Sequence, residues 1–323
     1  MKRIFILPII ALILGTSYAN AQNNDDSYKR CVLLEEFSTE NCSICPHITK
    51  YVHQLMEDPE YNENVIVVTH NVGFYTDFLT VPGDEQLTWF YNSKKSSCPA
   101  FMFDRYPFFN VQDVDELIPT SVGLVNNLAK FKDLVDTRMA EKSHLALDVT
   151  AVYDDNSTLT VTVSGERDAE FSVENPLINV YLTESNIKAQ HQKGLKKGEE
   201  YYHHYALREY NSVWGDEIKW DGDKFTYKCT LNVDKDYKQD DLQIIAFVSN
   251  SNPDDPTDCV VENARMITFD KALGIENAET QKDLTRTEYY TLDGIKTNPN
   301  ASGMYIQKNI FADGSVETKK IMK

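Results

Sequence analysis

The spacing of apolar residues changes character at His144, and this change constrains the fold more than any other feature of the sequence. Before it, short apolar runs such as CVLLEEF (31–37) and NVIVVTHNV (64–72) alternate with helical patterns. From Cys42 to about Met56, Ile44, Ile48, Val52 and Leu55 recur on one helical face. AFMFDR (100–105) reads as a short strand, residues around Glu85–Tyr91 as partly helical, and 117–143 as a helix. Strands interleaved with helices predict an α/β layer structure.

After His144 the period drops to two. HLALDVTAVYD, STLTVTVSG, LINVYLTES, KFTYKCTLNVD, LQIIAFVSNS and CVVENARMITF all read as strands, separated by turn residues such as Asp154-Asp155-Asn156 and Asn252-Pro253-Asp254. Such a run predicts an all-β sandwich over 144–270. Residues 271–285 are polar and read as a linker, and 286–323 as a small β tail with turns at Asp293-Gly294, Ala301-Ser302-Gly303 and Asp313-Gly314.

The first residues bear on compartment rather than fold. Lys2 and Arg3 precede an apolar run from Ile4 to Gly15, and Ala19-Asn20-Ala21 offers small residues for cleavage. The run is shorter than the roughly 20 residues a spanning helix needs. Residues 1–21 therefore read as a signal peptide, and the chain as exported, to the cell surface, outer membrane, medium or periplasm. Cleavage leaves 302 residues with 30 Lys and Arg against 50 Asp and Glu, a net charge of −20. That charge argues against nucleic acid and anionic lipid headgroups as partners. All six cysteines, Cys31, Cys42, Cys45, Cys98, Cys229 and Cys259, survive cleavage, and export permits disulfides.

Cys42-Ser43-Ile44-Cys45 carries the candidate chemistry. Two cysteines three apart on a helix share a face, so their sulfurs come within bonding distance. Unpaired amides at a helix start stabilise a thiolate, making Cys42 the nucleophile and Cys45 the resolving thiol. A zinc half-site is the main alternative, but no second CxxC supplies the other ligands, and His47 alone does not. An inert structural disulfide is the other. Glu35 and Glu36 interrupt an otherwise apolar strand, and one of them should point into the core, where a carboxylate must be neutral or partnered. Ser97-Cys98-Pro99 precedes the strand AFMFDR, where a proline needs no ladder donor.

Glu36, six residues before Cys42, matches the buried acid of thioredoxins, and Pro99 resembles their cis-proline facing the CxxC. VLLEEFSTENCSICP, VIVVTHNV and SCPAFMFDR together resemble the opening of the 28-kilodalton outer-membrane protein family, a thioredoxin-related group. YYHHYALREYNSVWGDEI and LQIIAFVSNS with VVENA resemble its second domain. The resemblance spans about 31–270 and implies a thioredoxin-like domain over 31–143 followed by the sandwich. It implies that Glu36 moves protons to or from Cys45 and that Pro99 shapes a substrate groove. The Ser43-Ile44 dipeptide departs from those of well-known oxidoreductases, so it fixes neither potential nor direction. In the tail, Leu292-Asp293-Gly294, Gly303-Met304-Tyr305, Asp313-Gly314 and the lysines near Lys323 resemble a type IX secretion sorting domain.

Other residues invite simpler readings. His191, His203 and His204 fall in a long connection, 186–214, without ligand spacing around them. His70 reads as a hydrogen-bonded strand end, the Lys193–Lys197 run as solvated, and Tyr201, Tyr202, Tyr205 and Tyr210 as loop packing. Cys229 reads as a buried thiol, with pairing to Cys259 as the alternative. Cys98 should lie beside Cys42 as a third redox thiol or as groove wall, whereas Cys31, at the far end of its strand, should not. Two functions remain open: exchange of protein or peptide thiols and disulfides without a cofactor or metal, and non-catalytic binding or structure at the cell surface.

Overall fold

A computed structural model describes residues 28–72, 76–91, 98–108, 122–123, 127–154, 157–272, 284–291, 296–297, 304–311 and 316–322. The expected signal peptide, Ser97, most of the expected linker and the expected tail turns lie outside these residues. The fold is mostly β, with several sheets and few helices. The first part runs β1 (Val32–Phe37), α1 (Cys45–Met56), α2 (Pro59–Asn62), β2 (Val65–His70), α3 (Asp84–Tyr91), β3 (Ala100–Phe103), β4 (Val122–Gly123) and α4 (Leu128–Met139). Then come β5 (Leu145–Tyr153), β6 (Thr158–Arg167), β7 (Pro176–Glu184), β8 (Ile187–Lys188), β9 (Tyr202–His203), β10 (Ala206–Tyr210), β11 (Asp216–Glu217) and β12 (Trp220–Asp221). β13 (Lys224–Asn232), β14 (Leu242–Asn250), β15 (Val261–Thr268) and α5 (Phe269–Ala272) complete this part. The tail holds β16 (Leu284–Tyr290), β17 (Lys296–Thr297), β18 (Met304–Phe311) and β19 (Val316–Met322).

β1 is central because every residue in it is buried, as a strand covered on both faces requires. It pairs parallel with β2, Val32 opposite Val65, and antiparallel with β3, Phe37 opposite Ala100. Alternation sends Val32 and Leu34 toward α1 and α4, where they join Ile48, Val52, Phe101 and Phe131. Leu33 faces the other way, onto Ile66, Tyr181 and Phe247.

The sheet does not stop at residue 143. Its order is β15-β14-β7-β10-β2-β1-β3-β4, with β11 also on β7. The junction is a parallel contact, Ala206 opposite Thr69, and the Thr69 amide donates to the Tyr205 carbonyl at 2.7 Å. The β12-β13-β6-β5 sheet packs over β7 and β14, and Val161, Val163, Ile178, Val180, Ile244 and Ala246 fill the space between. The two β layers expected after His144 are therefore present, and one of them runs on into the strands that carry Glu36. The tail forms its own antiparallel sheet, β17-β16-β18-β19.

Several expectations need correction. The helix expected from Cys42 begins at Cys45, because Pro46, lacking an N–H, suits the first turn, and residues before it form a turn closed by the Cys42 amide on the Thr39 carbonyl. Ile44 consequently lies off the helix's apolar face and is 49 % exposed. In the expected 117–143 helix, Val122–Gly123 instead pairs with β3, and α4 starts after Asn127, whose side chain caps the Lys130 amide at 2.9 Å. Residues 109–121 lie outside the described ones. The strand expected to reach Arg105 ends at Phe103, since Asp104 and Arg105 take left-handed backbone, φ 54° and 51°. The 186–214 connection contains β8, β9 and β10, so His203 belongs to a strand and is buried.

Candidate redox site

Cys42 and Cys45 are disulfide-bonded, with Cα atoms 5.4 Å apart. Cys45, on the first turn of α1, is buried, whereas Cys42 precedes the helix and is partly exposed. The Cys45 amide points at Cys42 Sγ at 3.0 Å. This is one of the amides a helix start leaves without an intrahelical acceptor. It therefore aims the positive helix end at the sulfur of the less buried of the two residues.

Cys98 sits opposite, and its peptide bond to Pro99 is cis. Its carbonyl lies 3.8 Å from Cys42 Sγ, and the sulfurs of Cys42, Cys45 and Cys98 all lie within 4.8 Å of one another. Cys31 is elsewhere, at the opposite end of β1, its amide donating to Asn263 Oδ1 at 3.0 Å. Cys229 and Cys259 are not bonded to each other and lie in separate apolar clusters.

Both glutamates of β1 are buried, not one, because each face of this strand is covered. Glu36 shares the parity of Val32 and Leu34, so it faces α1 and accepts a short hydrogen bond from the Thr49 hydroxyl. Thr49 is four residues after Cys45, one turn along the same helical face. Burial pushes the Glu36 carboxyl up to about 7, with hydrogen bonds to Thr49 and Thr69 opposing it. Its carboxyl thus lies beside the helix face that holds Cys45 and is raised toward neutrality.

Glu35 faces the opposite side and meets a different fate. Arg105 clasps it with two hydrogen bonds of 2.8 Å, and His70 Nε2 lies 3.2 Å away. Burial alone would raise the Glu35 carboxyl, but Arg105 and then His70 outweigh it and hold it at about 2. His70 Nδ1 lies 2.7 Å from Asp84. Burial pushes His70 down, yet Asp84 and Glu35 outweigh it and hold it at about 9. His70 is thus the hydrogen-bonded strand end expected of it, and charged.

Sequence reasoning missed Glu40 and the segment that binds it. The buried Glu40 carboxylate accepts from the amides of Gln190 at 2.6 Å and His191 at 3.1 Å, and His203 Nε2 lies 3.4 Å away. The Lys193 amide donates to the Glu40 carbonyl at 2.8 Å, and the Gln192 side-chain amide to the Cys42 carbonyl at 2.9 Å. Gly194, at φ 86°, packs against the Ser43 carbonyl where a Cβ would collide. Tyr201, further along, reaches Thr49 and the neighbourhood of Glu36. The segment between β8 and β9 is therefore seated on the CxxC. The only sequence signal was an acid in a turn next to the motif. Gly194→Val should unseat the segment by about 1–3 kcal/mol, the usual range for overpacking. The Gln190, His191 and Lys193 amides should then exchange hydrogen roughly 5–150-fold faster. Unchanged protection would show that the contact is not tight.

A buried acid, a disulfide at a helix start and a third cysteine beside a cis-proline define a β-rich protein with a CxxC centre. The model of the outer membrane protein Omp28 family matches residues 120–266. HBP35 of Porphyromonas gingivalis shares the fold, at TM-score 0.61 and 20 % identity over 92 % of this chain and 99 % of that one. A domain of the outer membrane lipoprotein Omp28 from the same organism aligns at 21 % identity over 39 % of this chain and 88 % of that one, at TM-score 0.28. No curated protein matches the chain. The family's outer-membrane location accords with the export expected from the N-terminal segment. No described helix is long and apolar enough to cross a membrane.

Proposed function

We propose that residues 31–143 form a thioredoxin-like unit and that the chain exchanges thiols and disulfides with exported proteins or peptides. The observation that carries this is the Cys45 amide aimed at the sulfur of a partly exposed Cys42. In the reduced protein, the Cys42 thiolate attacks a client disulfide, forms a mixed disulfide and expels one client thiolate. Cys45 passes its proton toward Glu36 and attacks Cys42 Sγ. The second client thiolate leaves, the client has gained two electrons, and the Cys42–Cys45 bond remains; the reverse sequence oxidises a client dithiol. Pro99 and Cys98 form the groove wall facing Cys42. The strands after residue 144 select or hold the client, through the segment seated on Ser43. The tail sheet serves as a sorting or surface module, joined by the 271–285 linker.

The test is iodoacetamide labelling of the reduced protein at neutral pH, followed by peptide mass spectrometry. Cys42 should be alkylated at least about tenfold faster than Cys45, because the thiolate at the helix start reacts and the buried thiol does not. Preferential labelling of Cys45 would overturn the assignment.

One observation favours a second reading, a non-catalytic surface protein. The Gln190–Gly194 stretch makes five hydrogen bonds or close contacts with Glu40, Cys42 and Ser43, as would suit a bond held for structure. The two readings part on redox potential, taken up in the Discussion.

A further inference from the structure

The three sulfurs at this site have a geometry that disulfide exchange does not use. Among the described residues, Cys42, Cys45 and Cys98 form the group whose ligand atoms converge, each sulfur within 4.8 Å of the others. Thiolates bound to one ion at about 2.3 Å sit about 4 Å apart, so on reduction the bonded Cys42 and Cys45 sulfurs separate toward that spacing, with the Cys98 sulfur already within 4.8 Å of both. The donors are all sulfur, and soft thiolates select Cu(I) over hard cations. Structural zinc takes four ligands, and no fourth His, Cys, Asp or Glu joins this group among the described residues. Negative charge gathered here meets the positive end of α1, whose Cys45 amide already faces Cys42 Sγ.

We infer that the reduced protein binds one Cu(I) ion through Cys42, Cys45 and Cys98. The inference uses the same sulfurs as the exchange reading but does not depend on turnover. An external dithiol first gives two electrons and two protons to the Cys42–Cys45 bond and becomes a disulfide itself. One Cu(I) then bonds three sulfurs, three protons leave, and no oxidation state changes. Copper binding and exchange therefore compete: a loaded site has no thiolate to attack a client, and an oxidised site has lost two ligands.

The test reduces the full chain anaerobically, removes the dithiol, and titrates it with Cu(I) supplied as its bicinchoninate complex. The wild type should take one Cu(I), and X-ray absorption should find three sulfurs around it. Cys98→Ser should bind more weakly by no less than the about 10- to 100-fold that even outer-shell changes cost. Wild-type affinity in Cys98→Ser would overturn the inference, as would two-sulfur coordination in the wild type. The second readout needs no variant to fold. A protein that exchanges disulfides but binds copper through two sulfurs loses this inference alone. One that binds copper through three but does not exchange loses only the function proposed above.

Discussion

Replacing Arg105 by methionine should cost about 3–5 kcal/mol at neutral pH, the range for stripping a partner from a buried ion pair. Glu35, Arg105, His70 and Asp84 are all at most 2 % exposed, and their two negative and two positive charges balance. Arg105 also donates to the Tyr91 hydroxyl at 3.0 Å and lies over the rings of Tyr91 and Phe247, at 4.8 and 4.9 Å. Removing it leaves a carboxylate in an apolar site with only His70 to answer it. The effect has a pH signature. Glu35 is held at about 2 against an ordinary 4.5, so it contributes about 3 kcal/mol above pH 4.5, lost as pH falls toward 2. In Arg105→Met burial dominates and raises that carboxyl, so the penalty should shrink as the solution is acidified. Denaturant melts at pH 7 and pH 4 measure both. An equal penalty at the two pH values would show that lost packing, not the ion pair, sets it. The network joins β1, β2 and α3 to Tyr181 on β7 and Phe247 on β14, so the two sides of residue 143 should melt together.

The second large effect is at Glu36. Glu36→Gln should slow disulfide exchange roughly 100-fold, the scale of a lost general acid–base group. It should also stabilise the protein at pH 8. Folded Glu36 titrates at about 7, above its ordinary 4.5, so between those values the folded state keeps a proton the unfolded chain has lost. Stability therefore falls as pH rises through this window, by up to about 3 kcal/mol. Glutamine carries no such charge, so the variant's stability should be flatter from pH 5 to pH 8. Stopped-flow exchange with a model disulfide and melts across that range supply the two readouts. An unchanged exchange rate would remove Glu36 from the proton path, whatever the melts show.

Local pattern carried much of the fold. The central, buried placing of VLLEEF and the alternation in KFTYKCTLN were legible from the apolar pattern, although burial of both Glu35 and Glu36, rather than one, was not. The placing of Cys98 near Cys42 came instead from the resemblance of Pro99 to the cis-proline of thioredoxins that faces the CxxC. The joining of the two regions into one sheet was not legible. It rests on a single residue pair, Ala206 with Thr69, that no periodicity announces. Nor was the fate of Glu35, because its partner Arg105 is 70 residues away and placed by two left-handed residues ending β3. The Gly194 seat on Ser43 is likewise long-range, and a glycine in a lysine-rich stretch reads as an ordinary turn.

The central claim is that Cys42 and Cys45 form a working couple, and their reduction potential tests it most directly. Equilibrating the full chain across a series of reduced to oxidised dithiol and glutathione buffers, then trapping and counting thiols by mass, gives that value. The helix-start amide on Cys42 Sγ stabilises the thiolate of the reduced state and so favours reduction. The potential should fall between about −270 and −120 mV, the span of exchange proteins. A value well below about −300 mV would mark a structural bond and contradict the account.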